Sequence, residues 1–457
     1  MLRIAVVGSG PAGFYAASAL LASDLEVEVD MIERLPTPWG LVRLGVAPDH
    51  PKLKAVSRAF ERTAQLSGFR FLGNVEAGRD LTHDDLLRLY DAVVYSVGAQ
   101  TDRRLHIPGE DLPGSWPATA FVAWYNGHPD FQDLEFDLST ERAVVVGNGN
   151  VALDVARMLA LAEDEIRPTD TTDAAIEAIL ASPLEEIVVL GRRGPAQASF
   201  TTPELKELGE MADADVIVDP SELELDDASL AALETDTNAR RNLEVLREFA
   251  ARPPAGKRRR IVLRFRVSPA AILGEEGVEA VEVVRNELVP DENGVVRAVP
   301  TDERELIPCG LVFRSVGYLA VPLPGVPFDE RRTTLPNDGG HVLDASGDPL
   351  PGVYCAGWIK RGATGVIGTN KKDANETIDL LLADAEAGLL RRGDPSADAD
   401  TVDRLLVERG AEPVTYVGWE GIDAEERTRG EEQGRPRIKL TTWEELLAAA
   451  RAAAGIR

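Results

Sequence analysis

Two glycine-rich turns carry the most specific chemistry in this sequence. Gly8, Gly10 and Gly13 form the pattern Gly-x-Gly-x-x-Gly around Ser9, Pro11 and Ala12, and Glu33 lies twenty residues beyond Gly13. Gly147 and Gly149 begin the pattern again, Ala152 replaces the third glycine, and Gly191-Arg192-Arg193 follows the next apolar run. Such turns let the backbone approach a dinucleotide pyrophosphate, which rests on the N-terminus of the following helix. In the first turn Gly8 permits the tight bend, Gly10 the close approach and Gly13 the packing of helix on strand. Glu33 is then placed to accept from adenosine ribose hydroxyls. At the second site guanidinium groups replace the acid and suit a 2′-phosphate, which predicts NADP rather than NAD. Two such sites imply a resident FAD and an exchanging NADP(H), the cofactors of a flavoprotein oxidoreductase.

The elements around these residues follow from periodicity. LRIAVV and VEVDMIE read as buried strands flanking the helix FYAASALLA, and RAVVVGNGNVALDVARML repeats strand, turn and helix. EEIVVL (185–190) is the strand before Arg192, and the segment DEIRPTDTTDAAIEAILA reads as an extra helical insertion. GVYCAGWIKRGATGVIGTNKKDANETIDLLL reads as a strand ending near Gly357, a glycine-rich turn and a long helix. Its first amides, around Gly365, Val366 and Ile367, are expected to face the flavin carbonyls through the helix dipole. The predicted fold is therefore α/β, with two Rossmann-like domains and the NADP domain inserted into a discontinuous FAD domain. The expected parts are 1–103, 104–319 and 320–457, with loops at IPGEDLPG and SVGYLAVPLPG as boundaries. The stretch PTPWGLVRLGVAPDHPK (36–52) has neither strand nor helix period, and reads as a functional loop that follows the dinucleotide.

Composition narrows the class. A chain of 457 residues, 44% apolar and 28% charged, fits an ordinary globular protein of two or three domains. A net charge of −28 argues against nucleic acid or an anionic membrane as a partner. From Asn238 to Arg260, however, eight Lys/Arg face two Glu, a run that reads either as a solvated face or as a docking surface for an acidic protein. No apolar run approaches the roughly 18 residues of a membrane span, and no leader precedes LRIAVVGSG, so the expected location is cytoplasmic. Cys309 and Cys355 are the only cysteines and lie in apolar runs, so buried free thiols are expected. That excludes a thiol–disulfide relay and a built-in iron–sulfur cluster.

Beyond the glycine turns, PTPWGLVRLGVAPDHP, GNGNVALDVAR, GRRGPAQASFTTPEL and AGWIKRGATGVIGTNKKDA resemble the adrenodoxin reductase-type ferredoxin–NADP reductases over nearly the whole chain. The resemblance implies hydride transfer from NADPH to FAD, then single-electron transfer to a ferredoxin-type iron–sulfur protein. It places Ala12, Glu33, Leu41, Val75, Trp358 and Gly365 to Ile367 at FAD, and the expected set extends to Arg34, Gly40, Val42, Gly98 and Gly357. Asn148, Gly149, Asn150, Val151, Arg192, Arg193, Glu204 and Gly365 fall at NADP. His50 is implied close to the flavin, with Glu207 approaching it and Asp154 suspected in proton or electron passage. The ferredoxin is expected to dock on the 240–260 segment, which includes Arg240, Arg241 and Arg247, and the enzyme is expected to be a monomer. A rival reading is another NADPH-dependent flavoprotein, such as a monooxygenase or diaphorase.

Overall fold

The computed structural model describes residues 1–292, 295–365 and 367–455. The chain divides into two compact units, Met1–Thr101 with Tyr318–Arg457, and Asp102–Gly317.

The first unit is built on a seven-stranded sheet. Its parallel centre runs Pro349–Cys355, Ala92–Tyr95, Leu2–Val7, Val27–Ile32, Phe69–Leu72, and two short antiparallel strands, His341–Leu343 and Asn337–Asp338, extend the first edge. Strands buried on both faces need continuous apolar runs, and Ile4, Ala5, Val6 and Val93 are all fully buried. Helices Pro11–Leu21 and Ile367–Glu386 cover one face, with Phe14, Ala374 and Ile378 in the core. The order of the strands reverses between Leu2–Val7 and Ala92–Tyr95, the crevice where open α/β sheets bind ligands.

The second unit repeats this plan. Six parallel strands run Ser115–Pro117, Leu311–Arg314, Arg142–Val146, Glu186–Gly191, Arg259–Phe265, Ala214–Val218. The helical insertion after Asn150–Ala160 is present as Glu163–Ile166 and Asp173–Ala181. A separate antiparallel sheet, Val267–Leu273, Ala280–Pro290 and Val296–Pro308, leaves the main sheet after Phe265. Cys309 and Cys355 are buried free thiols, and burial pushes them up to about 11 and about 12.

The proline-rich stretch is not wholly irregular: single helical turns form at Leu41–Leu44 and Pro51–Lys54. Trp39 and Gly40 take left-handed backbone angles, with φ of 82° and 50°. Such strain at a tryptophan persists only where surroundings fix it. The Trp39 N–H donates to Ser9 O at 3.0 Å, and its ring meets Trp419 edge-on at 4.9 Å. Arg43, four residues on, donates to Glu426 through both terminal nitrogens, one bond being 2.9 Å, and its guanidinium lies 5.1 Å over the Trp419 ring. Glu426 also accepts from Arg437 at 3.1 Å and from the Leu440 N–H at 2.9 Å. The helix Tyr416–Glu431, the last but one in the chain, is thus the clamp on this loop.

Burial raises the Glu426 carboxyl, but the adjoining Arg43 guanidinium outweighs it and holds the group below its usual range. Its stabilisation is therefore complete above the unfolded pKa, about 4.3, and is lost as pH falls below that value. Glu426→Ala strands Arg43 in the interior and should cost about 3–5 kcal/mol in urea unfolding. Glu426→Gln should flatten the acid limb of the stability profile. An unchanged limb would mean that other carboxylates carry it.

Candidate functional site: two dinucleotide cradles

In the first unit the sequence-selected glycines converge. A Cβ on Gly8 would lie 2.6 Å from Ser96 O, and one on Gly13 would lie 2.0 Å from Gly8 O. Gly40 brings the loop against Gly10, where its Cβ would stand 3.1 Å from the Gly10 Cα, and a Cβ on Gly357 would strike Ala12. Gly98 follows Ser96 at φ +74°, with open space beside it. Gly10 itself caps helix Pro11–Leu21 with no side-chain cap, and nothing lies within 4 Å of its Cβ position. The first-turn amides therefore face open space, a ready anion site.

Glu33 fastens this turn. One carboxylate oxygen accepts from the Ser9 N–H (3.0 Å) and Ser9 Oγ (2.7 Å), the other from the Leu35 N–H (3.0 Å). A carboxylate has about four lone-pair sites, so capacity remains for a ribose hydroxyl. Val75 is buried and ties its N–H to Glu33 O at 2.9 Å. Leu41 is partly exposed and Val42 buried directly after Gly40. Trp358 donates to Thr364 O at 3.1 Å, Gly365 has φ +81°, and Ile367 opens the long helix. Val366 lies outside the described residues. Arg34 instead sets its guanidinium 5.8 Å over Trp443. His50 is 8% exposed at the N-cap of Pro51–Lys54, and its side chain makes no cap bond.

This cradle fits an FAD. Trp39 Nε1 and the Nε and one terminal nitrogen of Arg361 are buried without hydrogen-bond partners. Arg361 bonds Asn370 Oδ1 at 2.8 Å, and that oxygen lies 3.6 Å from the Cβ position of Gly357. Unpaired buried donors beside an open glycine turn suit the oxygens of a pyrophosphate. The sequence reading missed Trp39 as a donor and missed Arg361. The signal for the latter was a cation four residues beyond Gly357.

The second unit presents the same geometry. A Cβ on Gly147 would lie 2.1 Å from Ser315 O, and Gly149 caps Asn150–Ala160 over open space. Asn150 Oδ1 accepts from the Thr201 N–H at 2.8 Å, Val151 is half-buried, and Asn148 Nδ2 is buried without a partner. Arg192 and Arg193 make no ion pair or side-chain hydrogen bond among the described residues. Burial first, and then the neighbouring Arg192 charge, lower the pKa of Arg193. Two adjacent unpaired guanidiniums call for a dianion, as a 2′-phosphate is. Asp154 is not on a solvated face: Arg157, buried and three residues on, bonds it at 2.7 Å and reaches Glu204 at 3.4 Å and Glu207 at 3.7 Å. This hub at Arg157, unnoticed in the sequence, gathers three of the selected acids.

The basic segment breaks up on folding. Arg259 is fully buried, bonded to the carbonyls of Leu184, Leu161 and Ile179, and burial pushes it down to about 10. Arg260 pairs with Glu186, and Arg240 folds back onto Leu233 O and Glu234 O. Arg241 and Arg247 are exposed on helix Thr237–Ala251 and have no partners among the described residues. No described helix is long and apolar enough to cross a membrane.

Two glycine-cradled, doubly wound units, one keyed by Glu33 and one by Arg192–Arg193, define an oxidoreductase of the two-dinucleotide class. Residues 2–188 match the family Pyridine nucleotide-disulphide oxidoreductase. NADPH-ferredoxin reductase FprA of Mycobacterium tuberculosis is 51% identical over 453 residues, covering 97% of this chain and 98% of that one. The human mitochondrial NADPH:adrenodoxin oxidoreductase is 44% identical over 97% of this chain and 91% of its own. The solved structure of M. tuberculosis FprA in complex with NADPH superposes with a TM-score of 0.93 at 50% identity, covering 98% and 99% of the two chains. The chain belongs to the adrenodoxin reductase-type ferredoxin–NADP reductases, oxidoreductases that work with FAD and NADP(H).

Gly10 and Gly13 separate cofactor loading from folding. Gly10 has φ −72°, which alanine accepts, whereas a Gly13 methyl meets backbone. Gly10→Ala should keep the melting temperature of flavin-stripped protein within about 2 °C. It should nonetheless lose bound flavin on dilution. Gly13→Ala should lower that melting temperature as well. Equal behaviour of the two variants in both assays would contradict the geometry.

Proposed function

We propose that the chain transfers electrons from NADPH to a ferredoxin-type iron–sulfur protein, as a cytoplasmic enzyme, with FAD in the first unit and NADP(H) in the second. The observation that carries this reading is the contrast between the two cradles: Glu33 at one and the unpartnered Arg192–Arg193 pair at the other. The names of the relatives, NADPH-ferredoxin reductase and NADPH:adrenodoxin oxidoreductase, support the same acceptor class. Bound FAD would supply the redox chemistry, joining a two-electron donor to a one-electron acceptor.

The protein's own residues bind, orient and manage protons. The Pro11–Leu21 amides, with Trp39 and Arg361, hold the FAD pyrophosphate, and Glu33 the ribose. Leu41, Val42, Val75 and Trp358 give the ring its apolar walls and exclude water. Asn148, Gly149, Asn150 and Val151 hold the NADP pyrophosphate, and Arg192 with Arg193 its 2′-phosphate. His50, nearly buried in the loop that carries Leu41 and Val42, would exchange a proton with the bound flavin as a general acid–base. Arg157 holds Asp154, Glu204 and Glu207 in place at the nicotinamide end. The acidic ferredoxin docks on Arg241 and Arg247, with Arg240 beside them.

Anaerobic titration tests the whole. One equivalent of NADPH should bleach the flavin, and added ferredoxin should restore its colour. A reduced protein that ignores ferredoxin and reacts rapidly with oxygen would instead be a monooxygenase. His50→Ala should slow flavin reduction on the order of 10²-fold, the lower range for acid–base assistance. Unchanged reduction kinetics would remove His50 from the mechanism. Arg241→Glu with Arg247→Glu should raise the KM for ferredoxin and weaken its salt dependence while leaving reduction by NADPH intact.

A further inference from the structure

The second unit carries a sheet that a dinucleotide fold does not require. Val267–Leu273, Ala280–Pro290 and Val296–Pro308 form it, and hydrogen bonds fasten it to the Arg192–Arg193 turn. The Arg266 N–H donates to Arg193 O at 2.9 Å, and the Asn286 N–H donates to Arg266 O at 2.7 Å. Asn286 Nδ2 donates both to Arg192 O (2.9 Å) and to Ser268 Oγ (2.8 Å). Both carbonyls of the arginine pair are therefore held by this sheet and the turn that leads into it, while neither guanidinium pairs with a carboxylate among the described residues. The ladder slips at this point: Val284 stands opposite Arg304, but Asn286 stands opposite Pro300. Such irregularities re-aim side chains beside functional sites. Arg266 itself has φ 57°, a strained turn at the same place.

A cavity of about 400 Å³ opens there, lined by Arg192, Arg193, Ser268, Asn286, Arg297 and Val296 among others. Arg297 pairs with Asp291 at 2.8 Å, so three guanidiniums and one carboxylate leave a net charge that matches a phosphate dianion. Asn286 is 3% exposed, and its Oδ1 has no hydrogen-bond partner. A buried acceptor left open is costly unless a donor, such as a ribose hydroxyl, reaches it.

We propose that this sheet is the outer wall of the adenosine 2′-phosphate subsite and sets the preference for NADP over NAD. Asn286 positions the Arg192–Arg193 turn, and Arg297 brings a third guanidinium to the phosphate. The inference rests on the reading of Arg192 and Arg193 given above.

Binding of 2′,5′-ADP and of 5′-AMP to the holoenzyme, measured by calorimetry, tests it. Arg297→Gln and Asn286→Ala should each weaken 2′,5′-ADP about tenfold, the worth of one charge-assisted contact, and leave 5′-AMP within about twofold. The NADPH-to-NADH ratio of kcat/KM should fall in parallel. If both variants keep the 2′,5′-ADP to 5′-AMP ratio while Arg192→Ala with Arg193→Ala collapses it, the sheet has no part in specificity. If the double arginine variant also keeps the ratio, the phosphate reading of that pair fails, and this inference with it. Should Asn286→Ala fail to fold, the exposed Arg297 decides the matter alone.

Discussion

Everything functional in this molecule depends on two places where a strand end touches a neighbouring backbone. Gly8 stands against Ser96 O, and Gly147 against Ser315 O, at separations that admit no Cβ. Each contact falls where the strand order of its sheet reverses. Each is made to the same tripeptide, Ser96-Val97-Gly98 in one unit and Ser315-Val316-Gly317 in the other. The serine N–H bonds back to the strand before the glycine, Ser96 to Val7 O and Ser315 to Val146 O, both at 2.7 Å. This draws two parallel strands together at their carboxyl ends and leaves the helix amides beyond Gly10 and Gly149 bare. A side chain at either glycine would wedge the strands apart and close the anion site at once. Fold and binding are thus one constraint here.

What the sequence made legible follows from how local this constraint is. The turns, their flanking strands and helices, the acid at Glu33, the paired arginines and the helical insertion before Arg192 all sit within short windows of periodic pattern. Partners distant along the chain were not legible. Arg43 and Glu426 are 383 residues apart, and nothing near either names the other. The burial of Asp154 was not legible, because it depends on Arg157 and on the second helix that supplies Glu204 and Glu207. The Lys257–Arg260 run reads as surface charge, yet Arg259 points inward because three carbonyl groups converge on it. A guanidinium with five donors can satisfy such a cluster, whereas an apolar side chain would leave all three unpaired.

The helix Tyr416–Glu431 has its own logic. Trp39 must hold a left-handed backbone so that Gly40 can close on Gly10, and a local sequence has no means to enforce that. The enforcement comes from Trp419 at its ring and from the Arg43–Glu426 pair just beyond. A buried ion pair is weak evidence for stability, since hydrophobic replacements often do as well. Its value lies in direction: a bidentate fork accepts one orientation of Arg43 and so one path for the loop that carries Leu41, Val42 and His50. The segment that has no nucleotide motif therefore governs the path of the loop from Trp39 to His50.

Charge distribution completes the argument. A chain with net charge −28 repels phosphates at long range, so each anion site must be strongly basic locally and shielded from the acidic surface. The protein meets this by leaving a few guanidiniums unpaired in a fold where most are satisfied. Arg142, Arg157, Arg264 and Arg314 all pair with carboxylates, whereas Arg192 and Arg193 do not. Burial and the neighbouring Arg192 charge disfavour the Arg193 cation, and a bound dianion would relieve both. On the proposed role of that pair, selectivity for a 2′-phosphate rests on the cost of its absence: NAD would offer hydroxyls where two cations need charge. That is a stronger discriminator than added attraction, because the penalty is present in the protein before any nucleotide arrives.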